Sequence, residues 1–346
     1  MAKKSFVMKI EQLLLIIVVS LASFSCVEEF LPQLNEFENL LVIDGRLTNE
    51  NGPYTVNLSM SSGLEIINVE PVTGAVVTII EENGPAEVLT EVSPGTYQTS
   101  TDGIKGKVGK RYKIDVVLGD KHYASEYELL KEPATIESVE AQLEYQATPD
   151  NPEEVPGYQF YVNSGLSPNG EDYYLWSMEG TYRYESDFLI FYLWEGSLVD
   201  FDDFDYDSLK VCYRTYTVGD VVTTSTLNTT EPKVTNYPLT FVSAFEKKLS
   251  IRFSLLTKQY SLSKEAYEFW HAIEQQTTNN ASLYTSQPYQ IRGNLKNLED
   301  PEEPVLGYFM VAGVSENRIF VNRPQGIPDY DAECILDYEG LALLIW

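Results

Sequence analysis

The chain has 346 residues, past the size at which one hydrophobic core usually keeps growing, so two domains are expected, with one large β-domain as the alternative. Apolar residues at 43% and charged residues at 22% exclude a disordered chain, while 24 Tyr and 15 Phe beside abundant Val, Thr and Ile indicate strands. With 52 Asp plus Glu against 24 Lys plus Arg, a net charge of -28 and no basic stripe, nucleic acid is excluded as a partner.

Lys3, Lys4 and Lys9 precede the apolar run Leu13 to Ala22, which ends in Ser23, Phe24, Ser25 and Cys26. A basic start, a short apolar stretch and a small residue before cysteine predict a lipoprotein signal peptide over 1–25, with Cys26 as the acylated N-terminus. The run is about half of the roughly 20 residues that a membrane helix needs, which disfavours the rival reading of an uncleaved anchor. Ser23 stands where a strict consensus prefers Leu, and this relaxed pattern resembles that of Bacteroidota lipoproteins. Val27, Glu28 and Glu29 resemble the short acidic signal that sends such lipoproteins to the outer face of the outer membrane. Cleavage takes three bases from 24 and one acid, Glu11, from 52, leaving 21 and 51. A field of that sign repels anionic headgroups, so membrane attachment is expected through the lipid anchor only.

Residues 26–37 read as the lipidated tether. Strands follow at Leu40 to Gly45, Tyr54 to Met60, Ala75 to Ile80 and Tyr112 to Leu118, and Gly119-Asp120 is a two-residue hairpin turn. Val72 to Ile79 and Pro94 to Tyr97 resemble transthyretin-like or immunoglobulin-like modules, which predicts a β-sandwich domain over 38–130. Lys131 to Ala134 reads as a linker. Beyond it, strands are predicted at Tyr173 to Met178, Thr181 to Tyr184, Val221 to Thr226, Leu249 to Leu255, Gly307 to Val314 and Arg318 to Val321. These make a second β-rich domain, barrel or sandwich, over 134–346, so the fold class is all-β with one inserted helix at 264–276. Ser263 caps that helix, Leu262 and Tyr267 form a hydrophobic staple, and Leu262, Ala266, Phe269, Trp270 and Ile273 form its apolar stripe. His271 lies beside the stripe and reads as a packed or surface residue. Asp150 to Tyr158 and Asp300 to Tyr308 echo each other as acidic proline turns that feed strands.

The segments Tyr260 to Trp270, Gln290-Ile-Arg-Gly-Asn294, Val305-Leu-Gly-Tyr-Phe309 and Arg318-Ile-Phe320 together resemble the Bacteroidota lipoprotein family called domain of unknown function DUF4249. The likeness covers nearly the whole mature chain. It implies an accessory of a TonB-dependent outer-membrane receptor, engaged in capturing an unknown glycan, peptide or metal-chelate ligand. It carries no catalytic residue.

After acylation of Cys26, Cys212 and Cys334 form an even pair in an oxidising compartment, so a disulfide between them is expected, with free thiols as the alternative. Between Tyr173 and Tyr216 stand 14 aromatics in 44 residues, against 29 in the other 302. Tyr174, Trp176, Tyr192 and Trp194 are therefore a candidate stacking platform for sugars or peptides, although core packing explains such rings equally. Within this stretch Asp203, Asp205 and Asp207 would project from one side of an extended segment, a calcium candidate that competes with a solvated acidic loop. No other cofactor is indicated. No serine motif stands near His122 or His271, so a catalytic triad is not expected. A glycosidase needs only two spaced carboxylates and stays open beside a peptide hydrolase, as does a surface adhesion or structural module.

Overall fold

The computed structural model describes residues 40–61, 70–148, 151–170, 172–186, 192–194, 196–200, 210–279 and 291–328, with backbone only at 192–194 and 198–200. The chain is mainly β, as its composition predicts. The first ten strands are β1 (Leu41–Thr48), β2 (Thr55–Met60), β3 (Glu70–Pro71), β4 (Val76–Glu81), β5 (Ala86–Val88), β6 (Thr90–Ser93), β7 (Thr96–Gln98), β8 (Arg111–Leu118), β9 (Lys121–Ser125) and β10 (Glu128–Leu129). Then come β11 (Ile136–Thr148), β12 (Asn151–Ser164), β13 (Tyr173–Glu185), β14 (Tyr192–Trp194), β15 (Leu198–Asp200), β16 (Val211–Ser225), β17 (Tyr237–Ser243) and β18 (Arg252–Leu262). Helix α1 (Lys264–Asn279), β19 (Leu295–Asn297) and β20 (Leu306–Asn322) complete the order.

Two sheets enclose the first core. One carries β1, β2, β7 and β6, and the other runs β19-β9-β8-β4-β5. Period-two alternation aims Leu41, Ile43 and Leu47 of β1 inward against Tyr112, Ile114 and Val116 of β8. Leu295, Phe309 and Val311 belong to the same core. They come from β19, which pairs with β9, and from β20, which runs parallel to β1 with Val42 opposite Leu306. Sheet and core therefore run across residues 131–134.

The second core lies between β11-β12-β17 and the sheet segment β16-β13-β18-β20. Helix α1 covers the other face of that segment, over a third cluster. Alternation assigns the faces: in β13, Tyr174, Trp176 and Met178 enter the second core, while Tyr173 and Leu175 meet the helix. Burial on both faces explains why the run Tyr-Tyr-Leu-Trp-Ser-Met shows no polar stripe.

β20 is one strand where the sequence suggested two. Leu306 to Ala312 pair with β1, and Gly313 to Asn322 pair antiparallel with β18. At the changeover the Asn49 side chain extends the ladder, donating to the Val314 carbonyl at 3.2 Å and accepting from its N–H at 2.6 Å. The expected linker is bound down here. Ala134 donates to Ser261 Oγ at 3.2 Å and accepts from Gln259 Nε2 at 3.0 Å and Ser315 Oγ at 2.7 Å. Lys131 reaches the buried Asp172 at 3.4 Å. Likewise 173–178 and 181–184 belong to the single strand β13, whereas the strand expected from Leu249 begins at Arg252, after a 3-10 turn at Lys247–Leu249.

Helix α1 starts where predicted and runs three residues past Gln276. Ser263 Oγ accepts from the Ala266 N–H at 3.1 Å, and Leu262 and Tyr267 share one cluster, so cap and staple are both formed. Gly119-Asp120 turns between β8 and β9, with Gly119 at φ 63. The two acidic proline segments differ: Asn151 to Ser164 is strand throughout, but Asp300 to Pro304 is a turn ahead of β20. No helix among the described residues is long and apolar enough to cross a membrane.

Two glycines of the recognised segments meet on β1. A Cβ at Gly307, where φ is +90, would fall on the Ile43 carbonyl oxygen, and one at Gly293 would fall on the carbonyl of Gly307. Gly74 has a similar φ of +74 but open space around it. Gly74→Ala should cost about 1 kcal/mol from backbone strain alone, and Gly307→Ala at least about 2 kcal/mol more, because the sheet must open. Urea unfolding of both variants measures the difference, and equal losses would refute the close-approach account.

Candidate functional site

A cleft of about 780 Å³ opens where β10, the start of α1, residues 291–296 and the start of β20 meet. Its size falls among small-ligand sites, about 300–1,000 Å³. The floor is Glu128, only 8% exposed. One carboxylate oxygen accepts from the Tyr308 hydroxyl in a short contact and from Asn294 Nδ2 at 3.2 Å. The other accepts from the Val311 N–H at 3.2 Å. Asn294 also bonds the backbone of Phe309 in both directions, at 2.9 and 3.0 Å.

Burial pushes the Glu128 carboxyl up to about 7, against three hydrogen bonds that favour its charged form. Burial, together with the charge of Glu128, also raises the Tyr308 hydroxyl, which stays a neutral donor. Above the floor, Leu129, Phe269 and Ile291 supply apolar wall, while Arg111, Arg292 and Lys296 stand with Glu126, Glu265 and Glu268 around the opening. In a chain with net charge -28, three cations against three acids bring the rim of this cleft close to neutral.

The predicted aromatic platform is overturned in its described half. Tyr174 is 0% and Trp176 1% exposed. Trp176 stacks on Tyr237 at 5.2 Å and donates to Gln259 Oε1 at 3.2 Å, so both rings are core. The backbones of Tyr192 and Trp194 lie in β14, paired with β15; their side chains, like Asp203, Asp205 and Asp207 of the calcium candidate, lie outside the described residues. Among the described residues no group of three His, Cys, Asp or Glu could hold a metal ion. Cys212 on β16 is a part-buried free thiol, and its expected partner Cys334 lies outside the described residues, as does Cys26.

His271 packs face to face on Tyr267, with centroids 5.2 Å apart. Thr223 Oγ1 at 2.9 Å and Glu274 Oε2 at 3.0 Å both meet its Nδ1. Thr223 also donates to the Glu274 carboxylate from its N–H at 3.1 Å and its hydroxyl at 2.5 Å, so this cluster fastens α1 to β16.

The profile described as Domain of unknown function (DUF4249) matches residues 27–318, and the chain belongs to this family. No curated protein matches the chain. Glu128, Asn294 and Tyr308 all fall within the matched span. Sequence reasoning quoted the segments of Asn294 and Tyr308 but missed Glu128, whose local run Ser-Glu-Tyr-Glu-Leu reads as ordinary strand.

The Glu128 proton has a stability consequence. The carboxyl rises from 4.5 to about 7 on folding, so its contribution is full below pH 4.5 and is lost as pH climbs through 7. The loss is on the order of 3 kcal/mol. Glu128→Gln should flatten that part of the pH dependence, read from urea midpoints at about pH 5 and about pH 8. Parallel pH dependence in wild type and variant would refute the assignment.

Proposed function

We propose that this chain is a lipid-anchored outer-membrane surface protein that serves as the ligand-capture accessory of a TonB-dependent transporter, with the cleft over Glu128 as its binding site. The reading is carried by one observation: both Glu128 oxygens are committed to Tyr308, Asn294 and Val311, which fixes the floor of the cleft beneath Arg292 and Glu265, the rim charges with no partner among the described residues. A rigid, satisfied floor beneath uncommitted polar groups is the arrangement of a preorganised binding site. A general acid would instead turn its proton-bearing oxygen toward the ligand. Membership of the family, the Cys26 export pattern and the strong negative charge support a surface location with a lipid as the attachment.

Extraction of the tagged protein from its native host in mild detergent should recover a TonB-dependent receptor, identified by mass spectrometry. Cys26→Ala should release the protein from the membrane fraction. Preparations free of any such receptor would overturn the transporter partnership, and unchanged membrane retention of the variant would overturn the lipid anchor. Host or matrix attachment lost on deletion, with uptake intact, would favour the adhesion reading instead.

A further inference from the structure

We propose that the cleft takes an amphoteric peptide: its carboxylate on Arg292, its ammonium on Glu265, and an apolar side chain between them on Leu129 and Phe269. The inference rests on the binding-cleft reading and names the ligand class of that site. It follows from which charges at the opening are already spoken for. Arg111 is held by Glu82 at 3.5 Å and by the Tyr127 carbonyl at 2.6 Å. Lys296 pairs with Glu126 at 3.2 Å, and Glu268 with Lys264 at 3.5 Å. Glu128, Asn294 and Tyr308 satisfy one another on the floor. Among the described residues, Arg292 and Glu265 have neither an ion pair nor a hydrogen bond, and both are exposed at the cleft.

These two groups have opposite signs and line the same cleft from different elements, Glu265 from the first turn of α1 and Arg292 from the segment before β19. The helix end steadies the Glu265 charge without occupying its carboxylate. Leu129, 41% exposed, adds apolar surface to the same cleft. A neutral glycan would leave both charges unmet. A purely anionic ligand would meet Glu265, a purely cationic one Arg292, and in either case like charges would face each other at a cost. A short chain with one charge of each sign and an apolar body satisfies the rim without such a clash. Arg also suits a carboxylate better than Lys does, because its planar fork donates two parallel hydrogen bonds.

The test is isothermal titration of the full chain, purified in mild detergent, with the tetrapeptide Ala-Phe-Leu-Ala, its N-acetylated form, its C-amidated form, and maltotetraose. The free peptide should bind, and amidation should weaken binding about tenfold in wild type but not in Arg292→Gln. Acetylation should do the same in wild type but not in Glu265→Gln. Both variants alter exposed side chains, so urea midpoints should match wild type and separate lost binding from lost folding. Equal affinity for the free, acetylated and amidated peptides, tighter binding of maltotetraose, or no binding of the free peptide would each overturn the proposal. If a receptor co-purifies while the tetrapeptide fails to bind, the ligand class falls and the transporter reading stands. If the peptide binds with the predicted pattern and no receptor co-purifies, the reverse holds.

Discussion

The fold depends on the placement of a single strand. Odd-numbered residues of β20 enter two different cores, Phe309 and Val311 the first and Ile319 and Val321 the second, while Tyr308, Met310, Ala312 and Val314 face the helix cluster. A shift of one residue would send each of these side chains to the wrong face at once. Register is therefore fixed by three apolar environments together, with the Asn49 amide locking it at the changeover from β1 to β18 and the close glycines at the start of β20.

The cleft is a by-product of that arrangement. It opens beside the start of β20, where β10, residues 291–296 and the first turns of α1 come together. Backbone groups at such a corner lack ladder partners, and Glu128 supplies one by accepting from Val311. The cost is a carboxyl buried in a place that resists its ionisation. Its companions come from segments far apart in the chain, which gives the corner a chemistry that no local stretch possesses.

That distance explains what could be read from the sequence. The cap at Ser263, the staple, the hairpin at Gly119-Asp120 and four strands of the first sandwich, β1, β2, β4 and β8, depend on neighbours within a few residues and are legible in the sequence. β11 was missed, since its burial is slight and its alternation correspondingly faint. Tyr174 and Trp176 misled because an aromatic count does not distinguish faces, although the unbroken apolar run around them is the mark of a strand covered on both sides. The meaning of Gly293, Asn294, Gly307 and Tyr308 lay in their convergence on Ile43 and Glu128, and tertiary partnership of that kind leaves no trace in local spacing.

The parallel pairing of Val42 with Leu306 also sets an order of events. In a chain that grows from its N-terminus, β1 must wait for β20, the last strand among the described residues, before its open side is covered. Contacts so remote in sequence form slowly, and an uncovered strand edge is a template for pairing with a neighbour. A net charge of -28 opposes such pairing, because copies of like sign repel one another.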